Sequence, residues 1–322
     1  MKQFLWVPGQ GIDPSALARL RSHFPQPSEP MGEAWFMGER RMFTELLGDL
    51  SSLPVQALQE PLAELASGTG SFGPQPEWRA WYPYLLGALV PRSHAFCVSY
   101  LLEFLITGFI ALHPNGVHRP PYPAFRDDVL HTLGCCMMDA QCWNGSDIAI
   151  GNVLHRSNDN PAGVWQWWDA SGDLSASLFL CLKYLPEASI APWLRSVLAI
   201  PSPHWRAQIM VWLVGAHDML TGALRWPSQL PEQAAPSVAW EWSHCLRPEL
   251  ATADDSGALP ADALLPEECR LQALHTLRSW FSDDIYQEWL TCIVGVPYLE
   301  AELGEIPVSF AHLYVGVQGK ST

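Results

Sequence analysis

The chain has 322 residues, 48% of them hydrophobic and 16% charged, with a formal net charge of −15. It is long enough to bury a sizeable core, and its acidity excludes nucleic-acid binding, which needs a basic footprint. The excess of carboxylates suits a basic partner or plain solubility.

Lys2 to Val7 predicts a short strand, with a turn at Pro8 to Gly11. Asp13 and Pro14 supply a cap and a first-turn proline for a helix reaching about Phe24. Helices are expected at Glu33 to Leu50 and at Val55 to Ala66, and Ser67 to Glu77 reads as a flexible Gly/Pro linker. Inside it, Gly68-Thr69-Gly70-Ser71-Phe72-Gly73 spells G-x-G-x-x-G. A dinucleotide loop needs a strand before it and a helix N-terminus after it. Here a helix precedes, and Pro74 and Pro76 follow, so no cofactor is assigned.

After a helix at Trp78 to Leu89 comes the most apolar run, Arg92 to Leu112, with Pro91 in first-turn position and His113-Pro114-Asn115-Gly116 as the stop. Apolar residues cover nearly every face, so the helix is expected to be buried on all sides. Its length suits a membrane span, but Glu103 lies near its middle, and Ser99, Glu103 and Thr107 form one polar stripe at i, i+4, i+8. The run therefore reads as the central helix of a protein with no membrane span.

A Pro-rich connection over 114–123 marks the one place a domain boundary would fall in an otherwise single domain, 1–322. Helical patterns continue at Ala124 to Trp143 and Ile148 to Arg156. Asp127, His131 and Cys135 share a helix face, but the neighbouring cysteines and methionines are apolar, so no metal site is assigned. Helices follow at Asp173 to Tyr184, Ser189 to Ala199, Pro203 to Leu224 and Pro236 to Leu246. Arg247 to Leu265 reads as an acidic loop. Pro266 to Phe281 and Asp283 to Val294 read as helices, and Ile306 to Val317 as a terminal strand.

The rhythm predicts an all-α fold of about a dozen short helices, stacked as an α-solenoid of the HEAT or armadillo type or as an α/α toroid, with short terminal strands. No repeat consensus at a fixed period emerges. Phe4 to Val7 is too short for a secretion leader, so cytoplasmic residence and eight free thiols are expected. Oligomeric state is not legible.

Two functions fit. The favoured one is an acidic helical protein-interaction module, an inhibitor or bacterial immunity protein holding a basic protein partner. From Pro227 to Thr322 there are 14 acidic and 4 basic residues, against 19 and 14 before it. The partner-binding residues would be Trp240 and Trp242 as apolar anchors with Asp254, Asp255, Glu267 and Glu268. The alternative is an α/α-type glycoside hydrolase or lyase using the Trp- and Asp-rich loop from Asn152 to Asp173, with Asp159, Asp169 and His155 as its acid–base groups. No nucleophile elbow, P-loop, HExxH or kinase signature is present.

Overall fold

A computed structural model describes residues 3–34, 41–93, 101–149, 169–231, 236–252 and 259–316. The fold is all-α: these residues form fourteen α-helices and six strands of two residues each. Three helices form the centre. All twelve residues of α4 (Leu101–Leu112) and all thirteen of α6 (Gly172–Tyr184) are buried, as are His204 to Leu213 of α8 (Pro203–Gly215). A helix buried all round has no polar face to show, which is the composition these three segments carry. Around them pack α1 (Pro14–His23), α2 (Val55–Phe72), α3 (Pro76–Ser93), α5 (Phe125–Thr132), α7 (Glu187–Leu198), α11 (Glu267–Trp280) and α12 (Asp283–Val294). The expected cap is present: Asp13 accepts from the backbone N–H groups of Ser15 and Ala16.

Several expected elements differ, each for a visible reason. The helix α3 does not stop before Pro91 but runs through it to Ser93. Proline has no N–H to offer the carbonyl of Gly87 one turn back, and the Arg21 guanidinium supplies one instead, Nε to O at 2.9 Å. The Gly-rich linker is helix: α2 continues to Phe72, and Gly68 and Gly70 are there for packing. A Cβ on Gly68 would lie 2.6 Å from the Trp78 ring, and one on Gly70 would lie 3.0 Å from the Cys245 carbonyl. The helix ends at Gly73, whose φ of 75° an L side chain adopts rarely.

The two terminal strands do not form. Residues 3–7 form no strand, the Trp6 N–H donating instead to the Ser196 hydroxyl at 2.9 Å, and Ile306–Tyr314 is a helix, α14. Its buried residues Ile306, Phe310 and Tyr314 recur every fourth position, a helical period that the β-branched residues between them mask. In place of the helix expected over Glu33 to Leu50, the described residues show β2 (Met42–Phe43) pairing with β1 (Met31–Gly32), just before that segment, and a 3₁₀ turn at Thr44–Leu47. Ala124 to Trp143 is helical only to Thr132 and then turns as 3₁₀ to Met138. Pro236 to Leu246 is a strand and a 3₁₀ turn: β6 (Ser237–Val238) pairs in parallel with β5 (Asp169–Ala170), and Glu241–Cys245 follows. Seven described cysteines, all except Cys97, carry free thiols. Among the described residues no helix is long and apolar enough to cross a membrane.

Candidate functional site

The polar stripe on α4 is where the segment 240–242 docks. Trp240 Nε1 donates to Thr107 Oγ1 at 2.9 Å, and the Trp242 backbone N–H donates to Glu103 Oε1 at 3.2 Å. The Thr107 hydroxyl in turn donates to the Glu103 carbonyl at 2.8 Å. On the other side stands Asp173, in the first turn of α6, whose Oδ1 accepts from the Glu103 backbone N–H at 3.1 Å. Asp173 therefore satisfies an orphan donor in the first turn of α4 rather than capping its own helix. Glu103 and Asp173 are both fully buried, and Glu103 Oε2 and Asp173 Oδ2 have no hydrogen-bond partner among the described residues. Burial pushes the Glu103 carboxyl up to about 8. Burial first, and the Glu103 charge second, hold Asp173 well above the carboxylate range. Burial therefore favours the neutral form of both carboxyls. Gly172 leaves the room for it, since a Cβ there would collide with Glu103 Oε2 and the Ala239 carbonyl.

The geometry distinguishes the two tryptophans. Trp240 is buried and stacked on Phe179 at 5.6 Å and 21°, so it belongs to the core and is no exposed anchor. Trp242 is half-buried, its ring 5.3 Å from Phe104. A W-x-W beside an acidic loop has hot-spot composition, but the α4 residues that Trp240 and Trp242 bond, Thr107 and Glu103, lie more than a hundred positions away and give no local signal. Asp254, Asp255, Asp159 and His155 lie outside the described residues, and for Asp169 only the strand position in β5 is described.

Glu267 and Glu268 are exposed in the first turn of α11. Across the C-terminal helices the same holds widely. Residues 259–316 contain nine carboxylates and two arginines. Of the nine, only Glu302 is not exposed to the full degree. Asp283 and Asp284 repeat the pattern of Glu267 and Glu268 in the first turn of α12, where the helix dipole favours negative charge. Glu288 has a structural role: its Oε1 accepts from the buried Arg206 at 2.9 Å, and the Arg206 guanidinium lies over the Trp289 ring. Leu271, Val294, Tyr298 and Val308 are exposed apolar or aromatic groups on the same helices.

A polar chain also links Asp147, α8 and Tyr298. Gly145, with φ 67°, turns the two-residue loop between β3 (Trp143–Asn144) and β4 (Asp147–Ile148), which carries Asp147 to the start of α8. Asp147 Oδ2 accepts from His204 Nδ1 at 2.9 Å, Oδ1 accepts from the Ser202 hydroxyl, and His204 Nε2 faces the Tyr298 hydroxyl. The chain joins β4, α8 and the residue before α13 (Leu299–Leu303). Asn144-Gly145, a strong short-range hairpin signal, was its available trace in the sequence.

Compared with known protein families, curated proteins and solved structures, the chain matches none.

Proposed function

We propose that this protein is an acidic helical interaction module that holds a basic protein partner, in the manner of an inhibitor or immunity protein. The observation that supports it is the charge of the C-terminal helices: nine carboxylates, nearly all exposed, against two arginines over residues 259–316. One of those arginines, Arg270, is engaged by Glu267 at 3.2 Å. Such a surface sets up a one-signed field that speeds encounter with a cationic partner and repels acidic ones. Leu271, Val294 and Val308 would add apolar contact. Solenoid-like or toroidal stacking of the helices, as their rhythm suggests, would present these elements on one broad face.

The test is capture from lysate of the native host, with partners identified by mass spectrometry. It is run with the wild type and with a variant carrying Glu267→Gln, Glu268→Gln, Asp283→Asn and Asp284→Asn. Glu288 is left intact because its loss would strand the buried Arg206. The captured partner should be basic. Its association rate should fall in the variant and at high salt, with the melting temperature nearly unchanged. A partner that binds the neutralised variant at an unchanged rate would overturn the reading.

A further inference from the structure

A cleft of about 680 Å³ opens between the 115–118 turn, the C-terminal end of α6 and the segment 261–270. Lys183 lines it, 8% exposed. Its Nζ donates to the Pro114 carbonyl at 2.6 Å and to the Leu264 carbonyl at 2.9 Å. No carboxylate pairs with it among the described residues. An ammonium has three donors, and two go to these carbonyls; Nζ also lies 5.5 Å from the centre of the Tyr184 ring. Burying such a charge is costly unless a counter-charge arrives.

A second cation, Arg225, lines the same cleft. The Leu264 N–H donates to the Arg225 carbonyl at 2.8 Å, so the residue that accepts from Lys183 also holds the Arg225 backbone. The Arg225 side chain lines the cleft and has no ion-pair partner among the described residues. Arg126 and Arg270 line the cleft too, but Asp127 and Glu267 already engage them. His118, Glu187, Asp262, Glu267 and Glu268 also line it. That mixture disfavours an extended polyanion and leaves room for a small one.

We propose that this cleft is a binding site for a small oxyanion-bearing metabolite, with its phosphate or carboxylate group seated on Lys183 and Arg225. The site adjoins the acidic surface proposed to hold a protein partner, because Glu267 and Glu268 line the cleft as well. Burial draws the empty-site Lys183 down to about 7, so an anion that favours the charged amine should bind with proton uptake near neutral pH.

The experiment is isothermal titration calorimetry of the full chain at neutral pH with inorganic phosphate and with citrate, in two buffers of different ionisation enthalpy. Saturable binding of at least one probe is expected, with a heat that depends on the buffer. Arg225→Gln removes an exposed side chain and should fold normally, yet affinity should fall about tenfold. Lys183→Met should abolish binding, with circular dichroism confirming its fold. Neutralising Asp283 and Asp284, which belong to the acidic surface and do not line the cleft, should leave binding intact, which separates this site from the protein-binding surface. Absence of saturable binding by both probes, or undiminished binding in Arg225→Gln, would overturn the proposal.

Discussion

The backbone N–H of Glu103 donates to Asp173 Oδ1 at 3.1 Å, and this bond brings two fully buried carboxyl groups together where α4 and α6 begin. The arrangement is stable because neither group need be charged: burial raises both. Its cost depends on pH.

Glu103 takes up a proton on folding, because its carboxyl goes from the ordinary 4.5 to about 8. Between those values the folded state binds more protons than the unfolded, so stability falls as pH rises, at up to about 1.4 kcal/mol per unit. Glu103→Gln keeps an acceptor for the Trp242 N–H and removes the titration. The variant should therefore gain on the wild type by several kcal/mol between about pH 5 and about pH 8. Urea unfolding at both ends of the range measures it; a constant gap would show that Glu103 titrates normally.

The two tryptophans of the 240–242 segment should behave differently. Trp240 is buried on Phe179 and bonded to Thr107, so Trp240→Ala should cost about 3–5 kcal/mol in unfolding free energy. Trp242 is half-buried, and Trp242→Ala should cost less than half as much. Equal costs in urea would contradict the placement of Trp240 in the core.

Gly68→Ala is a test of close packing against propensity. In an open helix the change stabilises by roughly 1 kcal/mol. Here the new methyl would meet Trp78 at 2.6 Å, inside contact distance. Thermal melts should show a loss of about 1–3 kcal/mol instead. A gain would mean that α2 stands away from Trp78.

Much of the fold was legible. The apolar run Arg92–Leu112 announced a helix buried all round, which is described over Leu101–Leu112 with Arg92 and Ser93 closing α3; Asp13-Pro14 announced a helix start, and the helices expected at Ser189–Ala199, Pro266–Phe281 and Asp283–Val294 form at Glu187–Leu198, Glu267–Trp280 and Asp283–Val294. The stripe of Glu103 and Thr107 was also visible as a polar edge, because i, i+4 spacing is a local fact. Ile306–Tyr314 misled because its β-branched residues imitate a strand while its buried positions keep a helical period.

What the sequence alone determined, then, is what local periodicity and composition carry: the all-α class, the buried centre and the acidic surface charge. The partners were decided only by tertiary packing. Nothing local says that Asp173 closes the first turn of α4, that Trp240 reaches Thr107, that Arg21 serves the carbonyl freed by Pro91, or that Lys183 ends between the carbonyls of Pro114 and Leu264. Each of these joins residues 66 to 133 positions apart. A polar group that leaves water must find its partner wherever the chain brings one, and only the folded chain says where that is.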